Sequence, residues 1–272
     1  MKKIKINYYI IAACILLLLQ TSCKKNEEAP EIPPKIIDHT SFQDFYVAVI
    51  EGTPGYQAAL SIEAIPVIFQ DTRLATEQVR LDNVGGFIHA YSLVYYIAAS
   101  TGNEDLKVIP IPDSLFQIKY SAISHDEKIV ISFNEYLDLI QNNGLFYTIW
   151  ERWFSITKDT EAPLPDFTSS GKNGNLKVAI CSDTPPFSYM GNDGIYRGFS
   201  IDLFLSYAAY IEKRIQYTDV DHKNLLSSIE NKNADIAITN LPLSPNPNTK
   251  IFYSNPFYDD GQGILVQLIV ES

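Results

Sequence analysis

The chain has 272 residues, 46% of them hydrophobic, with 21 Lys and Arg against 32 Asp and Glu, a formal net charge of −11. Such a surface repels nucleic acid and anionic lipid headgroups, and no Lys/Arg cluster interrupts it, so nucleic-acid binding is not expected. Three cysteines and four scattered histidines show no metal-ligand spacing, so neither a metal site nor a cofactor is expected.

Lys2, Lys3 and Lys5 precede an apolar run over residues 8–19, which Gln20, Thr21 and Ser22 end. The run falls short of the roughly 20 residues that a spanning helix needs, and its flanks read as a signal peptide over residues 1–22. Cys23, after small residues at the end of this run, resembles the lipidated cysteine of bacterial lipoproteins, although Gln20 departs from the aliphatic residue usual three places earlier. The resemblance implies cleavage before Cys23 and a lipid anchor there. It places the protein in the cell envelope, on the periplasmic or surface face of the outer membrane. An ordinary secretory signal with a stray cysteine is the alternative. Residues 23–40, with Pro30, Pro33 and Pro34, read as an extended tether. Losing residues 1–22 removes three lysines and leaves 18 basic against 32 acidic side chains, a net charge of −14. Cys14 leaves with the signal, so the mature fold keeps Cys181 as a single thiol that cannot form an intrachain disulfide.

From residue 45 the chain alternates strands and helices, the pattern of a parallel α/β architecture. Strands are expected at 45–50, 65–69, 86–90 and 106–110, with one at 118–123 finishing the sheet, and helices at 56–62, 72–82 and 92–99. Over 129–154, Phe133, Tyr136, Leu137 and Ile140 share one helical face, while Ile149, Trp150 and Trp153 share another. Asn142-Asn143-Gly144 separates the two as a helix stop. Residues 157–175, with Pro163, Pro165, Ser169, Ser170, Gly171 and Gly174, have linker composition. A second α/β set follows: strands at 176–181, 214–217, 235–239 and 263–270, and helices at 200–211 and 224–231.

Several motifs of this second set are specific. They are Leu176-Lys177-Val178-Ala179-Ile180, Pro185-Pro186-Phe187-Ser188-Tyr189, Gly198-Phe199-Ser200-Ile201-Asp202-Leu203, Asn233-Ala234-Asp235-Ile236-Ala237-Ile238 and Tyr253-Ser254-Asn255-Pro256-Phe257-Tyr258. In this order they resemble the bacterial extracellular solute-binding proteins of family 3, the amino-acid-binding type, over nearly all of 176–270. The resemblance implies a two-lobed, periplasmic-binding-protein-like α/β fold of type II. Residues 46–55 resemble the strand and Gly-Thr turn that open lobe two, and Gly144, Leu145, Phe146, Trp150, Trp153 and Phe154 resemble the closing helix. The expected order is therefore permuted: lobe two and closing helices at 41–154, a linker at 155–175, and lobe one with a hinge strand at 176–272. About 20 flexible residues span roughly 22–27 Å, enough to cross one lobe. Two partial domains left by truncation are the alternative.

Relatives that bind amino acids need an arginine for the α-carboxylate and an acid for the α-ammonium. Carried onto this sequence, the arginine falls at Pro247, the lobe-two acid at or near Ala90, the stacking aromatic at Thr184 and an upstream acid at Cys181. A standard α-amino acid is therefore not the expected ligand. The expected ligand-binding set is Thr53, His89, Tyr91, Asp183 and Thr184, with Tyr189, Thr239, Asn240 and Ser244. Thr53 reads either as an anion site at a helix N-terminus or as a cap for that helix. His89 reads either as a ligand contact or as a satisfied strand-end histidine, and Cys181 as a small core filler. No catalytic pair is expected, His222 being the only histidine near Cys181 in sequence. The implied function is a lipid-anchored, monomeric solute-binding protein, not an enzyme. It would trap a small polar molecule for transport or sensing, with an ABC transporter or another envelope protein as partner. A scaffold of the same fold with a protein partner, or an enzyme of that fold, are the alternatives.

Overall fold

The computed structural model describes residues 38–100, 105–116, 118–154, 167–239 and 250–268, all within one compact unit. The signal segment, Cys23, most of the tether, residues 155–166 of the linker, and Asn240, Ser244 and Pro247 lie outside the described residues. After a 3-10 turn at His39–Phe42, the chain runs through β1 (Tyr46–Ile50), α1 (Gly55–Ser61), β2 (Ile65–Phe69), α2 (Thr72–Arg80) and β3 (Gly86–Ala90). It continues with α3 (Tyr91–Ser100), β4 (Leu106–Ile111), β5 (Ile118–Ser124), α4 (Glu127–Asn142) and α5 (Leu145–Phe154). The later half holds β6 (Asn175–Ile180), β7 (Asp183–Thr184), β8 (Ser188–Met190), β9 (Tyr196–Arg197), α6 (Phe199–Tyr210) and β10 (Arg214–Asp219). It ends with α7 (Leu225–Glu230), β11 (Ile236–Thr239), β12 (Phe252–Tyr253), β13 (Tyr258–Asp260) and β14 (Gln262–Gln267).

The first sheet has the order β2-β1-β3-β14-β4, with β1 parallel to both β2 and β3. β1 is almost wholly apolar because both of its faces are covered, as parallel strands require. Val47 and Val49 pack with Ala58 and Ala59 of α1, and Ala48 and Ile50 with Ala75 and Val79 of α2. The second sheet has the order β10-β6-β11-β5-β12, in which β10, β6 and β11 are parallel.

Two strands depart from the sequence expectation. β5 does not finish the first sheet; it lies antiparallel to β11 in the second, with Ser124 opposite Ile236. Its expected place is filled from the far end of the chain by β14, which pairs antiparallel with β3 and β4 and sets Ile264 between Ile88 and Ile109. Each half thus lends one strand to the other's sheet, and the two crossings join two lobes. Local apolar pattern marks both segments as strands but carries no information about which sheet they enter, since pairing is non-local.

α4 buries Phe133, Tyr136, Leu137 and Ile140, the face that the spacing predicts, and its N-terminus is capped by Asp126, whose carboxylate accepts from Lys128 N at 2.9 Å. Both closing helices dock on the later half. Phe133 meets Tyr207 edge-on at 5.1 Å, Phe154 lies 5.3 Å from Phe199, and Trp153 Nε1 donates to Asp202 Oδ2 at 2.7 Å. The aromatic stack continues through Phe187 against Tyr120 at 4.2 Å, so β5 and the turn after β7 are also fixed to one another.

Candidate functional site

A cavity of about 510 Å³ opens between the lobes, within the size range of small-molecule sites. Lobe two supplies Thr53, the start of α2 at Gln70, Asp71 and Thr72, and His89 at the end of β3. Lobe one supplies residues 181–184 after β6 and residues 219–224 after β10. These are loops at the C-terminal ends of parallel strands, where open α/β sheets place their ligands.

The cleft is closed by direct contacts. Asp183 of lobe one accepts from the backbone N–H of Thr72 at 2.7 Å through Oδ2 and from its hydroxyl at 2.6 Å through Oδ1. Lys223 Nζ lies 2.7 Å from Glu51 Oε2, and each group holds the other's charged form more firmly. Gly52, at φ +81°, lies so close to the opposite lobe that an added Cβ would come within 2.7 Å of Lys223 Cα. Glycine is required there both for its backbone conformation and for the approach of the lobes.

Thr53 lines the cavity with its hydroxyl turned to its own loop: Oγ1 donates to Ile50 O at 2.9 Å and accepts from Gly55 N at 3.3 Å, while the N-cap of α1 is Pro54. The N-terminus of α2 is likewise occupied by the protein's own acids. Asp71 accepts from Leu74 N at 2.7 Å, and Asp183 takes Thr72 N. Burial raises the pKa of Asp183 above the ordinary carboxylate value, against the lowering effect of its two Thr72 hydrogen bonds.

His89 sits at the cavity wall with 3% of its surface exposed. Its Nδ1 accepts from Ala90 N at 2.8 Å, which leaves the proton of the neutral ring on Nε2, an atom that has no partner. Burial, with like-charge repulsion from His222, holds its pKa down at about 3, so the ring is neutral at any physiological pH. Cys181, buried beside it, has its thiol pushed up to about 12 by burial and by the nearby carboxylates of Asp183, Asp219 and Asp221. At neutral pH it is held as the protonated thiol.

Of the other expected residues, Thr184 lines the cavity and donates to Cys181 O at 2.8 Å. Thr239 lies behind it, around a second void of about 30 Å³ that His89 and Thr184 also border. Tyr91 and Tyr189 do not line the cavity. The Tyr91 ring stacks on Tyr95 at 6.0 Å and covers Gly263 of the crossing strand. Tyr189 packs between Trp153 and Tyr96 at 6.0 and 6.1 Å, a role that follows from α5 and α3 meeting at β8. Ala90 is 1% exposed in the sheet.

Sequence reasoning missed Glu51, Asp71, Asp219, Asp221 and Lys223, which reach the cavity from strand-end loops. The four acids share one signal, a carboxylate at or just past the end of a parallel strand, which is visible only once the strands are known to be parallel.

Residues 176–268 match the model of the bacterial extracellular solute-binding proteins, family 3. Over 91 residues the chain is 26% identical to a cyclohexadienyl dehydratase of Pseudomonas aeruginosa, covering 34% of this chain and 34% of that protein. Over 96 residues it is 26% identical to the L-cystine-binding protein TcyJ of Escherichia coli strain K12, covering 35% and 36%. The match thus spans about a third of the length of these curated relatives. The solved ligand-binding component of an ABC-type import system from Staphylococcus aureus aligns over 83% of this chain and 66% of that one, at 7% identity and a TM-score of 0.47. Five motifs in order, on a two-lobed α/β body with a cleft between its lobes, agree with this match: over residues 176–268 the chain is similar to the bacterial extracellular solute-binding proteins, family 3.

Proposed function

We propose that the protein captures a small polar solute between its two lobes, and that it works as a binding protein for transport or sensing. The observation that carries this reading is the cavity of about 510 Å³ walled by both lobes and bridged by Asp183 and Thr72. A standard α-amino acid is a poor fit, because among the described residues no arginine lines the cavity. The chain order is that of a circular permutation. This is supported by the exchange of β5 and β14 between the sheets and by the docking of α4 and α5 on α6. On this reading Cys23 carries a lipid that holds the body at an envelope membrane, where an ABC transporter or another envelope protein receives the solute.

A thermal-shift screen of free amino acids, sugars, short peptides and muropeptides tests the capture. A ligand bound only to the folded form at 100 times its dissociation constant adds about 2.7 kcal/mol of stability. A shift with one class and not with free α-amino acids is expected; a sharp response to free α-amino acids sinks the specificity. Cleavage between residues 155 and 166 is expected to leave two pieces that stay together without denaturant, and pieces that part refute the permuted single body. Replacing Cys23 with Ser is expected to release the protein from the membrane fraction.

A further inference from the structure

The charge of the cavity is one-sided. Among the described residues that line it, Glu51, Asp71, Asp183, Asp219 and Asp221 stand against Lys223, and Lys223 is paired with Glu51. Asp221 caps nothing in its 3-10 turn and keeps an exposed carboxylate at the rim. An anionic solute would meet repulsion here with its natural docking points, the helix N-termini, already taken by Asp71 and Asp183. Among the described residues no three His, Cys, Asp or Glu side chains converge on one point as a metal ion would need. No Phe, Tyr or Trp ring of the described residues lines the cavity, so a quaternary ammonium has no cage. The cation that remains is one that hydrogen-bonds: a primary ammonium or a guanidinium.

A second feature narrows the solute further. His89, almost wholly buried between the cavity and the small void behind it, carries an Nε2–H without a partner, a donor that needs an oxygen acceptor. We infer that the cleft takes a small hydroxylated amine without a carboxylate, its ammonium group facing the acidic rim around Asp221 and Asp219 and one of its oxygens accepting from His89. This rests on the capture reading above and specifies its ligand class.

The test uses the full chain in detergent micelles and four probes: glucosamine, glucose, N-acetylglucosamine and gluconate. Glucosamine carries the amine and the hydroxyls, the next two remove the charge, and gluconate reverses it. Calorimetric titration is expected to give glucosamine at least about tenfold tighter binding than either neutral probe, weakening as salt is raised, and none for gluconate. Asp221→Asn is expected to lower glucosamine affinity about tenfold, the usual weight of a hydrogen bond to a charged group, without moving the melting temperature. Equal binding of glucosamine and glucose, or preference for gluconate, overturns the amine assignment and leaves solute capture standing. Silence to all four probes and to the wider screen overturns both.

Discussion

Asp183 of one lobe holds Thr72 of the other by two hydrogen bonds, from the backbone N–H at 2.7 Å and the hydroxyl at 2.6 Å. The two residues are 111 positions apart in sequence, so the contact is a clasp between lobes and at the same time takes the first N–H of helix α2, whose N-cap is Asp71. A carboxylate in that place satisfies an orphan N–H of the first helical turn and complements the helix dipole.

Removing the clasp should weaken the closed body. Asp183→Ala is expected to cost about 2–3 kcal/mol, from two hydrogen bonds to a charged acceptor less the relief of its desolvation. Urea denaturation of the variant should show a lower midpoint, and small-angle scattering a larger radius of gyration. An unchanged midpoint and radius would refute the clasp.

Gly52 should tolerate no side chain. At φ +81° an alanine costs about 1–2 kcal/mol of backbone strain, and its Cβ would lie 2.7 Å from Lys223 Cα in the closed state. The clash exists only when the lobes meet, so Gly52→Ala is expected to favour the open form, seen as a larger radius of gyration and as weaker binding of whatever solute the screen identifies. Binding of wild-type strength would refute the requirement for close approach.

Two buried groups should give opposing slopes to stability against pH. His89 has a folded pKa near 3 against 6.5 unfolded, so its contribution is present above about pH 6.5 and is lost as pH falls towards 3. Asp260, at the crossing into β14, is raised from 3.8 to about 6 by burial, against the hydrogen bonds from Ser92 and Gly261. It favours the neutral form in the fold, so its contribution is greatest below about pH 4 and falls as pH rises to 6. Each slope approaches about 1.4 kcal/mol per pH unit. Asp260→Asn is therefore expected to make stability fall more steeply on acidification between pH 6 and 4, and His89→Phe less steeply. Chemical denaturation across that range measures both.

Cys181 should be inert in the native protein. With its thiol pushed up to about 12 and 8% of its surface exposed, alkylation by iodoacetamide at pH 8 is expected to proceed at the rate of unfolding rather than of free thiol. Reaction within minutes in the native state would contradict this burial.

The sequence by itself determined the longer strands and helices, though not the short strands β7, β8, β9, β12 and β13, together with the buried face of α4 and the motifs between Leu176 and Tyr258. These rest on local spacing, and spacing is written in the chain. It also marked Asp183 and Thr184 as cleft residues through the resemblance, and His89 as a strand-end residue that the structure brings to the same cavity. It did not reveal that β5 and β14 change sheets, because two apolar strands of equal pattern are distinguished only by what they pair with. Nor did it reveal the acidic character of the site. Glu51, Asp71, Asp219 and Asp221 are unremarkable polar residues in sequence, and only the parallel order of the strands brings their loops to one end of the sheets. Thr53 and Tyr91 were decided the same way: one hydroxyl turned back on Ile50, one ring laid over Gly263, each settled by neighbours that local pattern does not specify. Tertiary structure chose the partners, since a hydrogen bond or a packed ring goes to whichever group the fold places within a few ångströms.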